Sequence, residues 1–342
     1  MLNTVYRLVA PHRIEEEFSD IDFLDNQVIV RPTYLSICHA DQRYFQGMRS
    51  AEILSQKLPM ALIHEGIGVV IHDGTGTYPT GTRVVMIPNT PTETDDIIAE
   101  NYLRSSRFRA SGMDGFMQEY VSLDVDRVLP IDDAIENEVA AFMELVSVSA
   151  HAIGRFDKIA HPRRETIGIW GDGNLGFITA VLLKNIYPQA KLAVFGLTET
   201  KLSNFSFADD TYLVEEVSEK KPLIDHAFEC TGGGGCQDAI EQIIDCIRPE
   251  GSVSLLGVSE NNVPINTRMI LEKGLRFFGT SRSGRSDFET VIRLYRQNPE
   301  IVEYFRTLVS RVIEVRTVED MKKAFEWDMQ KTEGKTIMKW MK

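Results

Sequence analysis

The amino-acid sequence predicts an α/β chain of two domains: a strand-rich unit formed by both ends of the chain, and a doubly wound parallel sheet inserted between them. Three observations carry that expectation. Over about the first 130 residues, short strand-type runs alternate with glycine-marked turns. From about residue 135, short apolar runs alternate with helical ones, the pattern of a parallel sheet. A glycine hexamer, Gly171-Asp172-Gly173-Asn174-Leu175-Gly176, separates the first of these strands from the helix after it. The length of 342 residues suits two domains at ~150 residues each.

Taken in order, Gln27–Arg31, the β-branched run Gly68–His72 and Thr82–Ile87 read as strands, with Gly74, Gly76 and Gly81 in the loops. Residues 88–115 are polar and aperiodic, which marks a functional or surface excursion. Glu138–Ile153 is helix-compatible throughout. Strands are then expected at Thr166–Trp170, Lys191–Phe195, His226–Glu229, Ser252–Gly257 and Leu275–Thr280, with helices over Phe177–Ile186 and Cys236–Cys246. Beyond Gly284, Phe288, Val291, Ile292 and Tyr295 fall on one helical face. Thr317-Val318-Glu319-Asp320 has the form of a helix cap ahead of Met321, Ala324 and Phe325. The expected division is 1–147, completed by 286–342, and 148–285.

Fifty acidic residues against 37 basic ones give a formal charge of −13. That field repels phosphate backbones and anionic lipids, so no nucleic-acid and no membrane partner is expected. No apolar run approaches the ~18 residues of a membrane span. Glu15, Glu16 and Glu17 stand where a signal peptide would be apolar, so a cytoplasmic protein is expected. The four cysteines, Cys38, Cys230, Cys236 and Cys246, form no CxxC pair. That excludes a disulfide scaffold and a closed four-cysteine zinc module. A metal site must be assembled from residues distant in sequence.

The glycine hexamer carries little weight alone, but between a strand and a helix it is a dinucleotide fingerprint. Gly171 permits the tight turn, Gly173 lets backbone approach a pyrophosphate, and Gly176 lets helix and strand pack closely. The helix start, at Asn174 and Leu175, offers N–H groups to the phosphates. An NAD site wants Asp or Glu about 20 residues on, for the ribose 2′-hydroxyl. Here the second strand ends Phe195-Gly196-Leu197-Thr198-Glu199-Thr200-Lys201, with Gly196 in the acid's place. The missing acid favours NADP(H), with Thr198 and Lys201 as 2′-phosphate donors, although Lys201 reads equally well as a solvated lysine and Glu199 is close by. An acid installed at 196 is expected to shift preference toward NADH.

Two segments of the first unit hold metal-type residues: Ser36-Ile37-Cys38-His39-Ala40-Asp41 and, 26 residues after Cys38, Ile63-His64-Glu65-Gly66. Cys38 supplies a thiolate, His64 an imidazole, and Glu65 or Glu144 an oxygen. Three such ligands make a catalytic zinc site with a fourth position left for water or substrate. Alone, Cys38 reads as a buried small hydrophobe and His64 as a core histidine. Together with Glu144-Leu145-Val146-Ser147, Gly81-Thr82-Arg83-Val84, Glu229-Cys230-Thr231-Gly232, Pro249-Glu250-Gly251-Ser252-Val253 and Gly334-Lys335-Thr336, all in order, they carry a resemblance. Over essentially its whole length the chain resembles the zinc-dependent medium-chain alcohol and polyol dehydrogenases.

The resemblance implies a GroES-like catalytic domain and a Rossmann cofactor domain. It implies that one of Glu65 and Glu144 binds zinc while the other stands near it, and that His39 lies by the cofactor pyrophosphate. Two departures matter. Residues 88–115 contain no cysteine where the family often has a four-cysteine structural zinc lobe, so one zinc is expected. Ala40 stands where the family commonly has a Ser or Thr proton relay, which leaves Tyr44 or a metal-bound water as proton donor.

Thr90-Pro91-Thr92-Glu93, the segment Trp170–Gly176 and Gly279-Thr280-Ser281-Arg282-Ser283-Gly284 carry a closer likeness. It is to the branch that reduces D-ribulose 5-phosphate to D-ribitol 5-phosphate with NADPH for teichoic acid synthesis. This implies a small phosphorylated sugar as substrate, a homodimer or higher oligomer through edge strands of the cofactor domain, and a cytidylyltransferase acting on the product. A sugar phosphate needs fork-shaped or point-charge donors. Arg104, Arg107 and Arg109 form the densest basic cluster, with Arg282 and Lys57 near family site segments. Two other readings stay open: an NAD(P)-dependent dehydrogenase of another polyol, and a nucleotide-binding sensor with a dead site. The intact set of Cys38, His64, Glu65 and Glu144 argues against the sensor.

Overall fold

The computed structural model describes residues 1–342. Two compact units form, Met1–Ser147 with Ser283–Lys342, and Val148–Arg282. The chain re-enters the first unit at Ser283, just ahead of the helix Arg285–Gln297. No helix is long and apolar enough to cross a membrane.

In the first unit the main sheet runs Val128–Pro130, Arg83–Met86, Glu65–Asp73, Gln27–Ser36, Lys335–Trp340 and Val309–Val315, with Val121–Asp124 also paired to Gln27–Ser36. Val28, Val30 and Leu35 of the central strand pack in one core with Val70, Val84, Phe325, Met338 and Trp340. The returning C-terminal segment thus supplies part of the core, at ~1.5–3 kcal/mol for each large apolar side chain it buries. Register matters more for function. Ser36 lies opposite Glu65 on one side and Ile337 on the other, so three strand ends meet at one place. The helix Arg285–Gln297 buries Phe288, Val291, Ile292 and Tyr295, as the spacing predicts. Thr317 caps Val318–Gln330 through a reciprocal pair of bonds with Asp320.

The second unit is a six-stranded parallel sheet ordered Asp210–Leu213, Lys191–Gly196, Thr166–Trp170, Ile224–Glu229, Ile247–Leu255, Arg276–Gly279. Numbered along the chain this order is 3-2-1-4-5-6, that of dinucleotide-binding sheets. The sequence pattern does not predict Asp210–Leu213, a four-residue edge strand with two exposed positions and no apolar run. Its place is set by stacking across the sheet. Trp170 stacks on Phe195 at 3.7 Å between ring centroids, and Phe195 on Tyr212 at 5.1 Å.

The excursion 88–115 has one short antiparallel pair, Asn89–Thr90 on Arg107–Phe108. Charged contacts hold it in place. The Glu100 carboxylate accepts from Arg285 N at the head of the returning helix (2.8 Å) and from Arg127 Nη1 (2.8 Å). Arg127 is buried and also reaches Asn89 O at 3.1 Å. Gly284 leaves the room required, since a β-carbon there would come within 2.8 Å of the Glu100 side chain. Glu100→Ala leaves Arg127 with Asp126 as its remaining carboxylate partner (2.7 Å) and takes the acceptor from Arg285 N, and should lower stability by about 1–3 kcal/mol. The expected readout is a lower urea midpoint and new proteolytic cuts within 88–115. An unchanged midpoint and cutting pattern would contradict this account of the excursion.

Candidate active site

The three strand ends build the first cluster. Gln27–Ser36 runs out into Cys38, Glu65 opens the strand opposite Ser36, and Lys335 opens the strand on the other side. Cys38 Sγ, a His64 ring nitrogen and a Glu65 carboxylate oxygen lie within 4.8 Å of one another. Thiolate, imidazole and carboxylate are the donor types of a catalytic zinc. Asp41, Glu65 and Glu144 are buried around His64, with the Lys335 ammonium at Glu65. So many acidic groups around one cation fit a bound dication.

Asp41 organises this cluster. Its Oδ2 accepts from Cys38 N (3.2 Å) and its Oδ1 from Ile63 N (2.9 Å), tying together the segments that carry Cys38 and His64. Ile63 has φ +70°, a left-handed conformation that a β-branched residue adopts only at a cost, and the bond to Asp41 secures it just before His64. His64 is buried, with Nδ1 3.5 Å from Asp41 Oδ1. Burial opposes a charge on that ring, but Asp41 and Cys38 raise its pKa well above the usual value. Burial also raises the Cys38 thiol, against the pull of His64. A bound cation would draw off that proton.

The two glutamates stand differently. Glu65 holds Lys335 Nζ at 2.9 and 2.8 Å, and Lys335 also donates to Ile37 O at 3.0 Å. Glu144 sits in the first turn of Met143–Ile159, where burial pushes its carboxyl up to about 7 despite His64. Sequence reasoning missed Asp41 and Lys335. Asp41 stands three residues after Cys38, the spacing of a capping box, so its bond to Cys38 N had a readable signal. Lys335 had none, because its contact depends on strand register.

His39 opens the helix His39–Phe45 and is exposed; desolvation and Arg43 lower its pKa. Tyr44, on the same helix, is packed in the core with the Arg49 guanidinium over its ring at 5.1 Å. The basic cluster divides. Arg104 and Arg107 are exposed. Arg109 is buried, its terminal nitrogens donating to Asp114 O (3.2 Å) and Ser122 O (2.6 Å), so its guanidinium is committed to the backbone. Lys57 Nζ lies over Gly112, 3.4 Å from where a β-carbon would stand. The excursion meets the donor cluster at Phe108, whose ring centroid is 5.4 Å from that of His64. Arg282 belongs to the second unit, with φ +59°.

In the second unit the glycine loop has the shape its residues imply. A β-carbon at 176 would stand 1.9 Å from Gly171 O, whereas one at 173 would meet nothing within 4 Å. Gly173 also brings no side chain to cap Asn174–Ile186, so the loop leaves a bare, open helix start that fits a pyrophosphate. Gly196 ends its strand, and Thr198 caps the turn Glu199–Leu202 that carries Lys201.

Residues 24–133 match the family described as Alcohol dehydrogenase GroES-like domain, and residues 189–297 the Zinc-binding dehydrogenase family. The chain is 54% identical over 341 residues to Ribulose-5-phosphate reductase 1 of Staphylococcus aureus, covering 100% of each. It is 53% identical over 340 residues to the ribulose-5-phosphate reductase of Bacillus spizizenii, covering 99% of each. Among solved structures it matches S. aureus TarJ in complex with NADPH, with a TM-score of 0.90, 48% identity and 100% of each chain covered. The chain therefore belongs to the zinc-binding alcohol dehydrogenases, in the branch that holds the ribulose-5-phosphate reductases.

Proposed function

We propose that this chain reduces D-ribulose 5-phosphate to D-ribitol 5-phosphate with NADPH at one zinc site in its first unit. What carries this reading is the intact Cys38, His64 and Glu65 cluster in a chain 54% identical, end to end, to a ribulose-5-phosphate reductase. Cys38, His64 and Glu65 hold the metal, and Glu144 stands beside it. Zinc, when bound, supplies Lewis acidity at the substrate carbonyl. NADPH supplies the hydride. Asp41 and Lys335 keep the donors in place, so that little reorganisation is left to the reacting complex. Ala40 offers no hydroxyl and Tyr44 is packed beneath Arg49, so water is the proton source for the product alcohol.

In the second unit, Gly171, Gly173 and Gly176 with the amides of Asn174 and Leu175 hold the pyrophosphate. Thr198 and Lys201, beyond Gly196, take the 2′-phosphate. Arg104, Arg107 and Lys57 are the donors assigned to the sugar phosphate, because the excursion they belong to or reach touches His64 through Phe108. Arg282 is the alternative donor, and Arg109 is set aside. The enzyme works in the cytoplasm as a homodimer or higher oligomer. Its product, a phosphomonoester, is suited to cytidylyl transfer, which leads to CDP-ribitol and poly(ribitol phosphate) teichoic acid.

Protein purified without chelators should carry about one zinc per chain. Cys38→Ser and His64→Ala should each lose that zinc and the reductase activity while keeping the native circular dichroism. Two zincs per chain, or full activity in metal-free protein, would contradict the assignment.

The sugar phosphate gives a second test. The zinc site meets only a carbonyl and neighbouring hydroxyls, which many sugars share, so discrimination falls to the phosphate handle. Two charge-assisted contacts at ~1.5–3 kcal/mol each imply a kcat/KM for D-ribulose 5-phosphate roughly several hundred-fold or more above that for D-ribulose. Arg107→Ala should lower the first value and leave the second nearly unchanged. Equal kcat/KM for the two sugars would favour a dehydrogenase of unphosphorylated polyols.

A further inference from the structure

We infer that Asp172 is the positioning residue of the 2′-phosphate pocket, and that its carboxylate is the reason position 196 carries no side chain. The inference rests on the NADP(H) reading above and concerns residues of the second unit alone.

In the sequence, Gly196 is a missing acid: a carboxylate absent where it would repel a 2′-phosphate. The structure shows a filled space instead. A β-carbon at 196 would come within 2.8 Å of Asp172 Cβ, Asp172 Oδ2 and Leu202 Cδ2. The carboxylate beside Gly196 therefore belongs to the glycine loop. Its Oδ2 accepts from Leu197 N at 2.7 Å and from Thr198 N at 3.4 Å. Gly171 N donates to Phe195 O at 2.9 Å, so loop and strand end are tied on both sides of this contact. Thr198 passes the constraint on, its hydroxyl accepting from Lys201 N at 3.4 Å as the cap of Glu199–Leu202.

One carboxylate thus fixes the turn on which Thr198 and Lys201 stand. Two backbone N–H groups aimed at Oδ2 spread its charge, which lets an anion sit in the same loop as a phosphate-binding turn. The same contact overturns the simple expectation for Gly196→Asp. The new side chain would collide with Asp172 and set a second carboxylate against the first, which disturbs the turn for either cofactor. An acid at 196 becomes useful only once Asp172 has been cut back.

Isothermal titration with adenosine 2′,5′-bisphosphate and 5′-AMP separates pocket effects from catalysis. Asp172→Ala should weaken the bisphosphate about tenfold and 5′-AMP less than about twofold. Asp172→Asn keeps an oxygen for the two amides and should restore most of the loss. In turnover, Asp172→Ala should raise KM for NADPH with kcat little changed. Gly196→Asp should weaken both NADPH and NADH, whereas the double variant Asp172→Ala/Gly196→Asp should bind NADH more tightly than either single variant. Native bisphosphate affinity in Asp172→Ala, a loss in Asp172→Asn equal to that in Asp172→Ala, or NADH preference from Gly196→Asp alone would overturn the inference while leaving the NADP(H) reading standing. A native protein that binds the bisphosphate no better than 5′-AMP would overturn that reading, and this inference with it.

Discussion

The buried carboxylate of Asp41 joins the two chain segments that carry Cys38 and His64, two of the three residues proposed to hold the metal. Without it, the amides of Cys38 and Ile63 would lose their acceptor in the interior, at ~1–3 kcal/mol for each group left unsatisfied. The left-handed turn at Ile63, which aims His64 at the cluster, would also lose the bond that holds it. The site is therefore one acidic side chain and two backbone donors before it is a set of ligands.

The topology of the first unit closes the site electrostatically. Lys335 comes from the last strand of the chain and reaches Glu65 because Ser36 is flanked by Glu65 on one side and Ile337 on the other. The Lys335 ammonium offsets the charge of the Glu65 carboxylate that it holds at 2.8 and 2.9 Å. A chain that ended at the inserted unit would lack both that ammonium and the part of the core made by Phe325, Met338 and Trp340. Discontinuity of this unit is thus part of its chemistry.

Local signals were legible and register was not. The helix face of Phe288, Val291, Ile292 and Tyr295 and the Thr317 cap depend on residues within one or two turns, and both stand where the pattern puts them. The glycine loop was legible for the same reason. Cys38, His64 and Glu65 were legible as donor types, and the fold brings them together. The row Arg104, Arg107, Arg109 looked like one basic patch because sequence adjacency hides which way each side chain turns; burial takes Arg109 out of it. The space at Gly196 was illegible, because the atoms filling it come from Asp172 in another loop. The edge strand Asp210–Leu213 was missed because its place is set by an aromatic stack rather than by its own composition.

Asp41, which need not touch the metal, is expected to set how tightly the metal is held. Competition of zinc against a chromogenic chelator, in the native protein and in Asp41→Ala, measures this directly. Removing an outer-shell partner of this kind should raise the zinc Kd by about 10–100-fold while Cys38, His64 and Glu65 are all still present. An unchanged zinc Kd in a folded Asp41→Ala protein would contradict the account.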